Sequence, residues 1–370
     1  MPVAAHDALV HRQRSVLSGP LFPSLGPFHE ELGVLDALLG HHLITKQQIV
    51  ESGVSVRDQS RRNRCFIVSV TNGPSYFCKI GNDPDSKYRI RREIDAYSFL
   101  VSKVEGVCVR PSLALTEYPM MALPLWQEIS FGESDGQSPA TPSKSVPLKF
   151  RELGYNLGRL HGLDGWQNAD AGTAALPWAL GLAAPPVSII GDISGGALEM
   201  LEVLHSLPAL VYQLERLARD WSPSAWCHND LRAENLMCNE GTGEVVMVDW
   251  ESLGAGRPSW DLALLVATLM RRVIVTMPDD GNSDQLWQSL RGVLAQVRLG
   301  HLQAIPSESD WMWRESMPYV AAALAQTAVE TGNFRTRKTR TGVLLMQAAV
   351  NWAHRQPGLD WLMGPTMAAV

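Results

Sequence analysis

Several features that define common protein classes are absent or scarce in this chain of 370 residues. No stretch of about eighteen uncharged apolar residues occurs, so the sequence predicts no transmembrane helix. The N-terminal segment has charges and prolines but no continuous apolar core, which argues against a secretory signal. Its five cysteines have no CxxC spacing, so they predict neither a disulfide scaffold nor a zinc cage. We therefore expect a cytoplasmic protein with reduced thiols.

An excess of basic charge is also missing. The 32 lysines and arginines are outnumbered by 38 aspartates and glutamates, which gives a formal net charge of −6. This balance argues against a nucleic-acid partner or an anionic membrane surface. Hydrophobic residues make up 45% of the chain, so it can bury a large core, and its length allows two domains or one domain with two lobes.

Composition and periodicity divide the chain into four parts. Residues 1–50 form an N-terminal extension with one apolar helical pattern, and residues 51–125 consist mainly of extended segments. Residues 126–147 are rich in Gly, Ser, Pro and Thr and predict a linker or hinge region, whereas residues 148–370 are mostly helical. We expect an α+β protein with a strand-rich N-terminal part, called the N-lobe, and a mainly helical C-terminal part, called the C-lobe.

The local patterns predict individual elements within both lobes. Strands are expected at 54–57, 65–70 and 76–80, the last two joined by the turn signal Thr-Asn-Gly-Pro at 71–74. A helix with a charged outer face is expected at 87–103, followed by strands at 107–115 and 119–125. In the C-lobe, a further helix is expected near 197–220.

The segment from Cys227 to Trp250 contains the most specific chemistry in the chain. It begins CHNDLRAENLM and ends in an apolar strand followed by Asp249. Asp230 has the position of a base that orients an attacking hydroxyl group, and Asn235 and Asp249 are the oxygen ligands that would hold Mg²⁺ against ATP phosphates. A kinase that transfers phosphate to an alcohol group is therefore the leading hypothesis.

Phosphoryl transfer also needs a cation on the phosphates that are not transferred. Lys79 lies on a predicted strand, where it shares a face with Phe77, and Glu93 follows on the predicted helix. The order is that of an ion pair in which the glutamate fixes the direction of the lysine. Either residue alone is more often an ordinary surface residue, but their order before the catalytic motif favours the functional interpretation.

Three residues flank the proposed base and the metal ligands. We expect His228 to hold the loop through hydrogen bonds to backbone or carboxylate groups, without transferring a proton. The guanidinium of Arg232 is suited to the γ-phosphate, although an exposed loop arginine is an equally common explanation. Glu251 follows Asp249 by two residues and is a candidate for metal or water positioning, with a capping role as the alternative.

The combination of these motifs resembles the aminoglycoside phosphotransferase and choline kinase group of protein-kinase-like enzymes. The resemblance rests on HNDLRAEN at 228–235, VDWE at 248–251 and GRPSWDLA at 256–263, and it spans roughly residues 54 to 355. It implies a two-lobed kinase-like fold in which the antiparallel N-lobe binds nucleotide and the helical C-lobe contains the catalytic loop and the acceptor site, with ATP between the lobes. It also implies nucleotide contacts from hinge backbone between Ala122 and Leu125, and an Asp261 that braces the catalytic loop.

The chain departs from this family where a glycine-rich loop would bring backbone N–H groups to phosphate. Between the first two predicted strands it has Ser60, Arg61, Arg62, Asn63 and Arg64 instead of glycines. We expect Arg61, Arg62 and Asn63 to contact the nucleotide phosphates.

Three functions remain open at this stage. The first is an ATP- and Mg²⁺-dependent kinase of a small hydroxylated molecule, similar to an antibiotic or a metabolite. The second is a kinase that phosphorylates Ser or Thr of a precursor peptide before a partner lyase eliminates the phosphate, which the basic run at 335–340 would suit. The third is a pseudokinase scaffold that binds nucleotide without transfer, which the missing glycine loop would suit.

Overall fold

The computed structural model describes residues 27–60, 63–104, 106–128, 145–168, 176–186, 191, 193–239, 242, 244–276, 284–355 and 357–359. These residues form two compact units. The N-terminal unit contains the described residues up to 91 together with 111–125, and the C-terminal unit contains 92–110 and the described residues from 126 onward.

The strands are β1 Val54–Asp58, β2 Arg64–Val70, β3 Ser75–Ile80, β4 Leu113–Leu115, β5 Met120–Pro124, β6 Gln127–Glu128, β7 Ala225–Cys227, β8 Leu236–Cys238, β9 Val245–Met247 and β10 Gly254–Gly256. The helices are α1 Pro27–Gly40, α2 Lys46–Ser52, α3 Pro84–Lys103, α4 Ser145–His161, α5 Trp178–Gly181, α6 Gly195–His205, α7 Pro208–Arg219, α8 Pro258–Thr276, α9 Asp284–Ala304, α10 Ser309–Glu330 and α11 Arg340–Arg355.

The N-terminal unit is built on a five-stranded antiparallel sheet with the strand order β1-β2-β3-β5-β4. Side chains alternate across β3, so Tyr76 and Cys78 are buried in a hydrophobic cluster on one face of the sheet. Phe77 and Lys79 therefore lie on the opposite face. The three-stranded meander predicted from the sequence is confirmed.

Helix α1 covers the face of the sheet that carries this cluster. Val34 and Leu38 are fully buried with Phe66 and Val68 of β2. An ion pair of 2.5 Å between Arg64 and Glu30 also ties this helix to β2. The part of the expected N-terminal extension that the structure describes is thus a component of the sheet's core.

The C-terminal unit is a helical assembly with two small sheets, in which β7 pairs with β10 and β8 pairs with β6 and β9. Helices α4 and α9 approach each other so closely at Gly300 that a Cβ there would lie 1.8 Å from the carbonyl oxygen of Arg151. Only glycine permits that contact. Helices α8 and α10 are buried along most of their length and form the centre of the unit.

Two predicted elements differ from those observed because of proline. The helix expected at 197–220 is divided into α6 and α7, and Pro208 occupies the start of α7, where the missing N–H group costs nothing. The strand expected at 107–115 is reduced to β4, which begins after Pro111, a residue unable to donate to a ladder.

The region expected to be a linker is partly ordered. Residues 127–128 form β6, which pairs with β8, and α4 begins at residue 145. Residues 129–144 lie outside the described part of the chain.

The α+β fold class, with an antiparallel sheet in the N-terminal unit and a mainly helical C-terminal unit, is confirmed. The division into an extension, a nucleotide-binding lobe, a linker and an acceptor-binding lobe stays a prediction as far as the role of each part is concerned. None of the described helices is long and apolar enough to cross a bilayer.

Candidate active site

The loop that follows β7 is held by a single buried carboxylate. Asp261, near the start of α8, accepts hydrogen bonds from the backbone N–H groups of His228 and Asn229, both at 2.8 Å. Further along, the backbone N–H of Ala233 donates to Thr268 of the same helix at 3.1 Å. Helix α8 therefore fixes the backbone on both sides of Asp230. The bracing role that the resemblance implied for Asp261 matches these contacts.

Asn229 has an unusual backbone conformation in this loop. Its φ is 63°, in the left-handed region that non-glycine residues rarely occupy. Its side chain donates to the carbonyl of Ser252 at 3.0 Å and lies against Gly256, where a Cβ would be 2.2 Å from Asn229 Oδ1. The side chain of Asn229 occupies the space that a side chain at residue 256 would need. The GRPSWDLA segment therefore shapes the catalytic loop at Gly256 and holds it through Asp261.

His228 connects the catalytic loop to the segment that contains Asp249. Its Nε2 lies 2.9 Å from the carbonyl oxygen of Val248, and its ring packs on Trp250 with centroids 4.4 Å apart. The Nε2–H group therefore donates to a backbone carbonyl, and the role of His228 in holding the loop stays a prediction.

Asp230, the proposed base, is bonded to Arg232. Arg232 Nε donates to Asp230 Oδ1 at 2.5 Å, while its two terminal nitrogens donate to Glu330 at 2.5 and 2.9 Å. The charges of Glu330 and Asp230 outweigh the burial of the guanidinium and raise the pKa of Arg232. Burial raises the pKa of Glu330, and the positive charge of Arg232 opposes that effect.

The expected metal ligands lie at one end of the β8–β9 hairpin. The backbone N–H of Val248 donates to the carbonyl of Asn235 at 3.0 Å, so Asn235 and Asp249 are neighbours. The side-chain NH₂ group of Asn235 donates to the carbonyl of Asp230 at 2.9 Å. The amide oxygen of Asn235 therefore points away from the Asp230 carbonyl. Asp249 has φ 66°, a further left-handed residue. Strained backbone of this kind is concentrated at functional sites.

Carboxylates gather around Asp249. One ligand oxygen from each of Glu93, Asp249 and Glu251 lies within 4.8 Å of the others. Oxygen ligands of this kind suit Mg²⁺, which prefers hard donors. Glu251 and Glu93 thus both lie beside Asp249, and the role of Glu251 in positioning a metal or water stays a prediction.

A chain of buried polar groups extends behind Asp261. His161 Nε2 lies 3.2 Å from Asp261 Oδ2, His161 Nδ1 lies 3.0 Å from His301 Nε2, and His301 Nδ1 lies 2.8 Å from the Ser309 hydroxyl. Burial lowers the pKa of His301 well below its usual value, and the neighbouring His161 adds to this effect. Neither histidine was singled out from the sequence, since a lone histidine on a helix gives no signal of its own.

The N-terminal unit contains the remaining predicted residues. Lys79 is only 6% exposed and lies on β3 between Cys65 and Met121 of the flanking strands. Asn63 accepts a hydrogen bond from Arg89 at 3.1 Å. Arg61 and Arg62 lie outside the described residues.

Two backbone groups expected at the hinge are used by the sheet. The carbonyl of Ala122 accepts from Ser112 at 2.8 Å, and the N–H of Leu125 donates to Ser75 at 2.9 Å. A nucleotide contact at these residues would have to use their other backbone groups.

The structure therefore brings His228, Asp230, Arg232, Asn235 and Asp249 together within one unit, with Glu251 and Glu93 beside Asp249. The pairing of Lys79 with Glu93 stays a prediction. The most informative residue that sequence reasoning missed is Glu330, whose partner Arg232 is 98 positions away along the chain.

Three solved structures of other proteins are similar to this chain. A Plasmodium vivax ethanolamine kinase has 14% identity and a TM-score of 0.51, covering 86% of this chain and 87% of that one. An ADP-bound aminoglycoside phosphotransferase, APH(2'')-Ib, has 14% identity and a TM-score of 0.48, covering 86% of this chain and 99% of that one. A macrolide 2'-phosphotransferase from Brachybacterium faecium has 16% identity and a TM-score of 0.45, covering 86% and 98%.

At 14% identity, the likeness to the ethanolamine kinase concerns the fold alone, and it confirms the expected kinase-like fold. No curated protein sequence matches the chain significantly. The model of the phosphotransferase enzyme family (APH), however, matches residues 54–293, which is well over half of the chain. This protein belongs to the phosphotransferase enzyme family.

Proposed function

We propose that this phosphotransferase moves the γ-phosphoryl group of ATP, with Mg²⁺, to a hydroxyl group of a small molecule resembling an antibiotic or a metabolite. The bond between the γ-phosphorus and the bridging oxygen of ATP breaks, and a bond from that phosphorus to the acceptor oxygen forms. ADP leaves, and the proton of the hydroxyl group passes to Asp230 and then to solvent.

The observation that carries the proposal is the hydrogen bonding of Asp230 and of the loop around it. The loop on either side of it is fixed by Asp261 and Thr268, and its Oδ1 is bonded to Arg232. Its Oδ2 has no hydrogen-bond partner among the residues that the structure describes. A rigidly held carboxylate with one oxygen available is suited to accept the hydrogen bond of an acceptor hydroxyl group and orient it for attack.

Asn235 and Asp249 are proposed to hold the metal. Both residues lie at the same end of the β8–β9 hairpin, and Glu251, which lies beside Asp249, is proposed to position the metal or its water. When bound, Mg²⁺ would neutralise charge that develops on the phosphate oxygens. The chain's own contribution is to keep these oxygens at fixed positions, through the hairpin and the hydrogen bond from Asn235 to Asp230.

Cationic side chains are proposed to contact the phosphates. Lys79 is buried on β3, and a lysine there is suited to the α- and β-phosphates. Arg232 uses three of its five N–H groups for Asp230 and Glu330, so two remain for an oxygen of the γ-phosphate. Arg61, Arg62 and Asn63 are proposed for the other phosphate contacts, and Ala122 and Leu125 for the base of the nucleotide.

The acceptor class is drawn from the named relatives, which act on aminoglycosides, macrolides and ethanolamine. All three are small molecules with hydroxyl groups. The precursor-peptide function with a partner lyase has no support from these relatives and is not proposed.

The test is nucleotide turnover by the purified protein. ATP and GTP would be supplied with Mg²⁺ and a panel of aminoglycosides, macrolides and amino alcohols, with the products followed by ³¹P NMR. Formation of a phosphomonoester is expected with at least one acceptor, together with slow hydrolysis of ATP in its absence. Failure to turn over any nucleotide, with or without an acceptor, would favour the pseudokinase scaffold.

A pair of variants links turnover to the proposed base. Asp230→Asn is expected to lower kcat by about 100-fold or more, the usual size of a general-base contribution. Asp284→Asn, at an exposed position at the start of α9, is the matched control and should behave as the wild type. Full phosphoryl transfer by Asp230→Asn would show that another group is the base.

A further inference from the structure

Glu330 is the last residue of α10, and it binds the guanidinium of Arg232 with both carboxylate oxygens. Arg232 Nη1 donates to Oε2 at 2.5 Å and Nη2 donates to Oε1 at 2.9 Å. Paired, parallel hydrogen bonds of this kind fix the plane of a guanidinium as well as its position. The side-chain amide of Gln326, one turn earlier in the helix, donates to Oε1 at 3.0 Å and orients Glu330 in turn.

This arrangement limits how Arg232 can meet Asp230. The two hydrogen bonds to Glu330 hold the guanidinium in an orientation in which Nε alone donates to Asp230, to Oδ1 at 2.5 Å. Without Glu330, the same guanidinium would be free to turn and bind Asp230 through two parallel N–H groups, the preferred geometry of arginine with a carboxylate. Both oxygens of the base would then be occupied.

The charges lead to the same conclusion. Two carboxylates share one guanidinium, so the set of three side chains has a formal charge of −1. If Glu330 were neutral, Arg232 and Asp230 would form a closed, neutral ion pair. Since Glu330 is only 19% exposed, little solvent is available to screen this effect.

We infer that Glu330 is a positioning residue for phosphoryl transfer, which holds Arg232 to one oxygen of Asp230 and keeps the other oxygen available to the acceptor hydroxyl group. Glu330 acts through Arg232 and touches no reacting atom. The inference rests on the proposed function, because it assigns Asp230 as the base.

The same helix supplies a matched control. Glu315 of α10 forms an ion pair with Arg257, and its side chain is also 19% exposed. Glu330→Gln and Glu315→Gln therefore remove one charge each from comparable ion pairs on one helix. Only the first pair touches Asp230.

The kinetic test measures kcat and KM for Mg·ATP, with the acceptor found in the panel or with water. Glu330→Gln is expected to lower kcat by about 10-fold while KM for ATP stays within about twofold, because the loss concerns orientation of the base. Glu315→Gln should keep kcat within about twofold of the wild type. In an Arg232→Gln background, the additional effect of Glu330→Gln should disappear, since no guanidinium remains to be held.

Two outcomes overturn the inference: an unchanged kcat for Glu330→Gln, or effects of the Arg232 and Glu330 substitutions that simply multiply. If Glu330→Gln folds poorly, Glu330→Asp keeps the charge with a shorter reach, and a smaller loss of kcat is expected from it.

A crystal structure of the Glu330→Gln variant gives an answer that does not depend on turnover. Arg232 is expected to contact both carboxylate oxygens of Asp230 in that variant. An Arg232 that keeps its single contact to Oδ1 would overturn the inference, whether or not the enzyme is active. Absence of turnover in the wild type, by contrast, would count against the proposed function alone.

Discussion

His161 Nδ1 and His301 Nε2 lie 3.0 Å apart in the interior of the C-terminal unit, where α4 and α9 meet. The simplest set of tautomers has His161 donating to Asp261, His301 donating to His161, and the Ser309 hydroxyl donating to His301. Asp261 in turn accepts from the backbone of the catalytic loop. A continuous hydrogen-bonded chain thus connects α9 and α10 to the backbone of the two residues that precede Asp230.

Acidification should weaken the fold through His301. Because burial lowers its pKa in the folded state, the unfolded chain binds the proton more tightly. Above the ordinary histidine pKa of about 6.5, His301 is neutral in both states and does not make stability depend on pH. As the pH falls below that value, the unfolded chain binds the proton first, so the free energy of unfolding decreases by at most about 1.4 kcal/mol per pH unit. Urea denaturation at pH values from 7.5 to 5 would measure this slope.

The slope can be assigned by comparing two variants. His301→Gln removes the titrating group, so its stability should depend less on pH than that of the wild type, although its absolute stability will be lower. His354→Gln, at an exposed position on α11, should leave the slope unchanged. Parallel pH curves for the wild type and His301→Gln would rule out His301 as the source.

Replacing the brace of the catalytic loop should affect both folding and activity. Asp261→Asn leaves one acceptor oxygen for two backbone N–H groups and turns an NH₂ group toward the other. A loss of about 1.5–3 kcal/mol in the free energy of unfolding is expected, the usual size of one hydrogen bond to a charged acceptor. A decrease in kcat should accompany it, because Asp230 lies directly after the two residues that are released.

The exposed Asp220 provides the comparison for Asp261, since the amide substitution there is expected to change stability by less than about 0.5 kcal/mol. If Asp261→Asn unfolds at the same urea concentration as the wild type, the two backbone contacts do not hold the loop.

Local patterns were sufficient for much of the fold. Alternation in β2 and β3 and the turn signal between them predicted the meander, and the 3.6-residue period predicted most of α3. The errors at 107–115 and 197–220 arose at Pro111 and Pro208, where a breaker in the sequence should have outweighed the apolar pattern.

The residues of the candidate site also differ in how far the sequence could predict them. Asp230, Asn235 and Asp249 lie on one short stretch of chain, so their spacing alone indicated a common purpose. Glu330 and His301 gave no such signal, because their partners are 98 and 140 residues away. Helix packing brings them together, and the close approach at Gly300 is visible only once the helices are paired.

Addition of a single methyl group at Gly256 should disturb the catalytic loop. In Gly256→Ala, the new Cβ would lie 2.2 Å from Asn229 Oδ1 and 2.8 Å from Cys227 Cβ. Asn229 would have to move and lose its hydrogen bond to Ser252. We expect a loss of about 1–3 kcal/mol in stability, as for other overpacked sites, with a lower kcat.

Gly292 shows what the same substitution does where there is room. It lies inside α9, and apart from the backbone of its own helix no described heavy atom is within 4 Å of the point that a Cβ would occupy. Gly292→Ala should stabilise the protein by about 1 kcal/mol through helix propensity and leave kcat unchanged. Equal behaviour of the two alanine variants in thermal unfolding and turnover would contradict this account.

Removal of the Lys79 charge should weaken the use of nucleotide. Lys79→Met keeps the length of the side chain on β3 but removes the cation proposed for the α- and β-phosphates, so kcat/KM for Mg·ATP is expected to fall by about 100-fold. Lys87→Met, at an exposed position on α3, is the matched control and should leave kcat/KM unchanged. Calorimetric titration with ATP separates lost binding from lost turnover, and urea denaturation of both variants identifies any loss that comes from folding. If Lys79→Met binds and turns over ATP as the wild type does, the phosphates are held by other cations, and Arg61 and Arg62 become the residues to replace next.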